Sequence, residues 1–304
     1  MKLKINTTCK TTINIEDIID EFLTECKLKN LSSTTIKQYK TNIVYLMKYL
    51  TEQNIQLTSM STTTLKEYKV YLLENTSRNT TSINTLLRHV KVFLSWTYQN
   101  GYTDEIQVKY LKAKQEPKEV YTDDDIRKLL KKPKLSECSY AEYRTYAIIS
   151  ILVSTGIRRN SLLNIKLEDI DWNKQLVRLT HTKNKQVHFV NMNSKLVSIL
   201  KEWIKYRVGD DGYLFTTHVG EKLSPITVTT SIATYCKSKG VEITSCHAFR
   251  HYYATKLVES GVDVYTVSKL LGHSNLQITQ NYLKSLNMEQ FIRSNNIDIF
   301  KLIE

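Results

Sequence analysis

The sequence predicts two domains, one all-α and one mostly α with a small antiparallel β-sheet. Three observations predict this. Apolar residues recur at helical spacing up to about residue 103. A charged stretch, "KAKQEPKEVYTDDDIRKLL", then breaks the pattern and holds one of only 3 prolines. Beyond it, helical runs flank a single pair of β-type runs, "KQLVRLTHTKNKQVHFVN". A chain of 304 residues exceeds one average domain. The expected division is therefore a helical domain over 1–103, a linker over 104–121 and an α+β domain over 122–304.

Each element has its own signal. "SSTTIKQYKTNIVYLMKYL" opens with Ser32 and Ser33, good N-cap types. Its residues Ile36, Tyr39, Ile43, Leu46 and Leu50 step by three and four along one helical stripe. "TTLKEYKVYLLEN" predicts a shorter helix. "TSINTLLRHVKVFLSWTYQNG" aligns Ile83, Leu87, Val90 and Leu94, then stops near Gly101. A new helix is capped near Thr122. "YRTYAIISILVSTG" predicts a buried helix ending at Gly156, and a Lys-Asn-Lys turn joins the two β runs into a hairpin. "SKLVSILKEWIKYR", "SPITVTTSIATYCKSKG", "HAFRHYYATKLVESG" and "VYTVSKLLG" predict four more helices. No repeat or low-complexity tract occurs.

Composition narrows the class. Hydrophobic residues form 41% of the chain, enough for a core in each domain. No run of about 18 apolar residues occurs, and the first residues, "MKLKINTTCK", lack a secretory apolar stretch. A cytoplasmic protein without a membrane span is expected. The 5 cysteines are odd in number and contain no C-x-x-C, against a disulfide framework or a cysteine-rich zinc module. The net charge is +13, with 16 basic and 11 acidic residues up to Pro117 and 27 and 19 beyond it. An excess spread over both domains fits two domains gripping one polyanion, although a lysine-rich surface gives the same number. Lys37, Lys40, Arg88 and Lys91 are candidate phosphate contacts, Arg88 and Lys91 because they lie off the apolar stripe of their helix.

The densest chemistry lies in "CHAFRHYYATKL" and "LLGHSNLQITQNYLK". His247 and His251 stand four apart and could face one zinc ion, but Ala248 occupies the place where a metalloprotease helix carries glutamate. No metal is expected. His247 and Arg250 stand three apart and share a helix face. An arginine offers a planar fork of donors to two phosphate oxygens, and histidine moves protons near neutral pH. Arg158 follows Gly156 at the end of an apolar helix, where an arginine is costly to bury without an anion. Lys183 lies in the hairpin turn, and His273 precedes Tyr282 by nine residues. Two arginines, a lysine, two histidines and a tyrosine suffice for phosphoryl transfer without metal. The arginines would offset charge on a pentacoordinate phosphate and Tyr282 would attack it.

In this order, Arg, Lys, His-x-x-Arg, His and Tyr, the chain resembles the tyrosine recombinase (phage integrase) family. "TGIRRNSLL" is similar to the family's first box, "HAFRHYYAT" to its second and "LLGHSNLQITQNY" to its third. The likeness spans residues from about 15 to 290, and only the C-terminal boxes are specific. It implies a SAM-like core-binding domain followed by a catalytic domain. It implies that Arg158 and Arg250 bind the scissile phosphate, His247 and His273 support it and move protons, and Lys183 protonates the departing 5′-oxygen. Tyr282 would be the nucleophile, joined to the DNA 3′-phosphate, with neither ATP nor another cofactor required. It further implies double-stranded DNA recombination sites as partners, and a homo-tetramer on paired sites formed from a free monomer or weak oligomer. The enzyme would work in the cytoplasm at the nucleoid.

Two positions depart from the family's pattern. Ser161 stands where it usually has glutamate, and His188 where the hairpin usually continues with arginine, so Lys185 rivals Lys183. Arg159 is expected at the surface or on the DNA backbone, and His251 in packing. His181, His188 and His218 have no evident partners. The tail "LNMEQFIRSNNIDIFKLIE" stays apolar and is expected to dock on a neighbouring protomer. The short stretch before residue 15 leans toward a Xer-like or transposon-type enzyme rather than an arm-binding integrase. Two other functions share the scaffold: a catalytically silent, sequence-specific DNA-binding regulator and a monomeric type IB-like topoisomerase.

Overall fold

The computed structural model describes residues 14–113, 120–180, 187–210 and 212–272. The chain divides into two compact units, Met1–Glu116 and Pro117–Glu304.

The first unit is helical among its described residues: α1 (Ile15–Leu28), α2 (Ser33–Glu52), α3 (Thr62–Asn75) and α4 (Thr80–Gln99). Each helix starts at a side-chain cap. Asn14, Ser32, Ser61 and Asn79 accept backbone N–H groups of the first turn that have no partner within the helix. The predicted stripe on α2 faces inward: Ile43, Leu46 and Leu50 are buried, with Ile36 and Tyr39 packed at the core's edge. On α4, Ile83, Leu87, Val90 and Leu94 are all buried, while Arg88 and Lys91 are exposed. Phe22 joins the two faces, with its ring centre 5.6 Å from that of Tyr39 on α2 and edge-on to Phe93 and Trp96 on α4 at 5.3 and 5.4 Å. A fully buried side chain of this kind stabilises by about 1.5–3 kcal/mol relative to exposure. The helix ends at Asn100, and Gly101 takes the left-handed conformation that turns the chain away.

The segment expected to link the units is packed at both ends. Val108 is buried in the first core, and the Asn84 amide clamps the Leu111 backbone at both its N–H and its carbonyl, 2.8 and 2.9 Å. At the other end Tyr121 is buried in the second core, stacked on Phe249 at 4.3 Å.

The second unit is built around α6 (Tyr140–Thr155), which follows α5 (Asp123–Leu129). Every residue of α6 from Tyr143 to Leu152 is buried, as expected of a mostly apolar helix, and the one charged member, Arg144, donates to the Thr216 carbonyl at 2.9 Å. A short α7 (Arg159–Leu163) follows, then a three-stranded antiparallel sheet of β1 (Ile170–Asp171), β2 (Leu176–Leu179) and β3 (His188–Asn191). The pairs Val177–Val190 and Leu179–His188 set the β2–β3 register, so the two runs form the expected hairpin. Neither α7 nor β1 is evident in the sequence, because five and two residues are too few to display a period. Helices α8 (Ser194–Tyr206), α9 (Pro225–Ser238) and α10 (Cys246–Glu259) pack around α6, and α11 (Val264–Leu270) packs on α10. Among the described residues no helix is long and apolar enough to cross a membrane.

Candidate active site

The end of α6 sets the site. Gly156 closes the helix at φ +61°, and a Cβ there would stand 2.5 Å from the Tyr253 ring and 3.0 Å from Leu271. Glycine thus answers both a backbone and a packing demand. The turn it makes brings Arg158 to the N-cap of α7, half-buried, with Ser161 buried one turn on.

Arg250 lies on α10 and is 2% exposed. Its guanidinium donates to the Gly156 carbonyl at 2.9 Å and to the Leu271 carbonyl at 2.6 Å. Arg158 donates to the Gly272 carbonyl at 3.3 Å. Two arginines that are 92 positions apart in the sequence therefore meet adjacent carbonyls, immediately before His273. A carbonyl satisfies an N–H donor without neutralising a guanidinium, so these bonds orient the forks while leaving them attractive to an anion.

His247 begins the same helix as Arg250, one turn earlier, and is exposed. Its backbone N–H is held by the Ser245 hydroxyl at 3.2 Å. His251 is buried, with its ring edge-on to His247 at 5.1 Å. Tyr121 steadies this helix start from below, donating to the Ser245 carbonyl at 3.4 Å. Arg159 lies half-buried at the start of α7 and donates to the Thr229 hydroxyl at 2.7 Å.

Neighbouring nucleophiles are suppressed. Burial, then a hydrogen bond to Asp123, pushes the Tyr252 phenol up to about 12, and burial raises that of Tyr253. Burial pushes the Cys246 thiol up to about 11 against the opposing pull of Arg159. Groups that resist ionisation in this way make poor nucleophiles. Among the described residues no cluster of three or more His, Cys, Asp or Glu is arranged to hold a metal ion.

Of the six predicted site residues, Arg158, His247 and Arg250 are described. Lys183, its rival Lys185, His273, Tyr282 and the tail from residue 287 lie outside the described residues. In the first unit Lys37, Lys40, Arg88 and Lys91 are exposed. Lys37 and Lys40 line an open groove of about 420 Å³ with Lys27, Leu31, Ser33 and Ile36. The Arg88 guanidinium lies over the Tyr110 ring at 5.8 Å. Sequence reasoning missed the partner of His188, whose Nε2 lies 2.9 Å from the Leu270 carbonyl. Its distance along the chain leaves no spacing signal.

Known proteins resemble this chain in sequence and in fold. The sequence pattern of the phage integrase family matches residues 119–289, and that of the phage integrase SAM-like domain matches residues 14–115. A tyrosine recombinase of Pseudothermotoga lettingae is 28% identical over 276 residues, 89% of this chain and 94% of that protein. Tyrosine recombinase XerA of Pyrococcus horikoshii is 28% identical over 88% of this chain and 89% of its own length. Among solved structures, XerH bound to a palindromic difH substrate superposes with a TM-score of 0.73 at 18% identity, covering 92% of this chain and 83% of that one. The Tn1549 transposon integrase with a circular intermediate DNA gives 0.72 at 20% identity, covering 87% and 94%.

Proposed function

From the premise that this chain belongs to the phage integrase family and is a site-specific tyrosine recombinase, we propose that it cuts and rejoins DNA through a covalent phosphotyrosyl bond. The observation that carries the proposal is the convergence of Arg158 and Arg250 on the adjacent carbonyls of Leu271 and Gly272. Two guanidinium forks at one point match the non-bridging oxygens of one phosphodiester, and their charge offsets what develops in the transition state.

In this reading the Tyr282 oxygen attacks phosphorus and the bond to the 5′-oxygen breaks. Lys183 gives that oxygen a proton. His247 and His273 support the phosphate and take up the phenol proton. The 5′-hydroxyl of a partner strand then attacks and returns a proton to Lys183, the phosphotyrosyl bond breaks, and the phenol recovers its proton from the histidines. One phosphoester is exchanged for another at each step, so the cycle balances without ATP. Lys37, Lys40, Arg88, Lys91 and Arg159 hold the DNA backbone, adding affinity with little sequence information. The partners are double-stranded recombination sites, and paired sites are joined by a tetramer in which each tail, residues 287–304, docks on a neighbour.

The test begins by selecting bound duplexes from random-sequence DNA. A supercoiled plasmid carrying two direct copies of the selected site is then incubated with the protein in EDTA without ATP. Two separate circles are expected. Relaxation of plasmids lacking the site would favour a topoisomerase instead, and tight binding without any strand cleavage a silent regulator.

A further inference from the structure

We infer that His188 is a positioning residue for strand cleavage, acting through the end of α11. The inference rests on the recombinase reading of the same site.

The last carbonyls of a helix have no partner within it. At the end of α11 three consecutive carbonyls are met by three donors from three separate elements. Leu270 is met by His188 of β3 at 2.9 Å, Leu271 by Arg250 of α10 at 2.6 Å, and Gly272 by Arg158 before α7 at 3.3 Å. A carbonyl only accepts, so the His188 Nε2 carries the proton and donates. The ring also faces Gly272: a Cβ built there would meet its carbons at 3.6 Å. His188 therefore holds this backbone by its hydrogen bond.

Its place in the sheet makes that fixation rigid. His188 is the first paired residue of β3, opposite Leu179. Val190, two residues on, is buried in the main core. The clasp thus ties a strand anchored in the core to the segment whose next two carbonyls orient both arginines. Release of Leu270 would let the end of α11 shift, and the two guanidiniums would lose their common reference. Misplacement of reacting groups by about 1 Å costs roughly hundredfold in rate. His188 makes no contact with the reacting atoms in this account, so the loss falls on the chemical step and not on DNA affinity.

Two amides of different reach supply the test. The Gln side-chain nitrogen extends about as far as Nε2 of histidine, whereas that of Asn stops short. H188Q, H188N and the wild-type chain are given a nicked duplex bearing the selected site, and both the rate of covalent-complex formation at saturating protein and the dissociation constant are measured. We expect H188N to slow cleavage by about tenfold to hundredfold with affinity unchanged, and H188Q to recover most of that loss. Cleavage by H188N at the wild-type rate overturns the inference. So does an H188Q as slow as H188N, or a fall in affinity that accounts for the slower reaction. A wild-type chain that forms no covalent complex defeats the recombinase reading itself, and this inference with it. A wild-type adduct with an indifferent H188N defeats the inference alone.

Discussion

The two units deploy their cations in opposite ways. In the first, Lys37, Lys40, Arg88 and Lys91 stand on exposed helix faces above a core that closes without them. In the second, Arg250 is 2% exposed and held at two points by backbone carbonyls. An exposed lysine can move to meet a phosphate and is easily replaced by its neighbours. A buried guanidinium with fixed acceptors cannot move, so its worth lies in where it points. The first arrangement suits affinity and the second suits transition-state geometry.

Substitutions can break or sharpen that contrast. Among the cations the largest effect is expected from Arg250→Lys. It keeps the charge but loses the fork, including at least one of the bonds to Gly156 and Leu271. Covalent-complex formation on the nicked duplex should fall by about hundredfold or more, with duplex binding nearly unchanged. A lysine variant that cleaves normally would mean that charge alone matters there. The smallest effects are expected from alanine at Lys37, Lys40, Arg88 or Lys91, one at a time. Each should weaken binding to all duplexes alike and lower the slope of log affinity against log salt by about 1. Cleavage at saturating protein should not change. A variant of this set that binds normally but cleaves slowly would erase the distinction between the units.

Much of the fold was legible because its signals are local. Ser32, Thr122 and Gly156 mark helix ends by their own chemistry, and the α2 and α4 stripes follow from spacing alone. Elements of five and two residues, α7 and β1, carry no such period. The site was legible in part for a different reason. The three boxes preserve residue types in order, so Arg158, His247 and Arg250 could be named before any geometry. What holds them could not be. The acceptors of both arginines are main-chain carbonyls, which look the same in every sequence. The bond from His188 to Leu270 spans 82 residues and depends on where two elements end. Ser161 illustrates the same limit: its burial depends on how the short α7 packs, which no local pattern marks.

The central claim is that these fixed cations serve a tyrosine that bonds covalently to DNA. Its most direct measurement is the chemical identity of the adduct on a nicked duplex, read by digesting the complex and finding the peptide that carries a nucleotide. The account predicts a 3′-phosphoryl nucleotide on the peptide containing Tyr282, and no adduct from Tyr282→Phe. An adduct on any other residue, or one that persists in the phenylalanine variant, would contradict it.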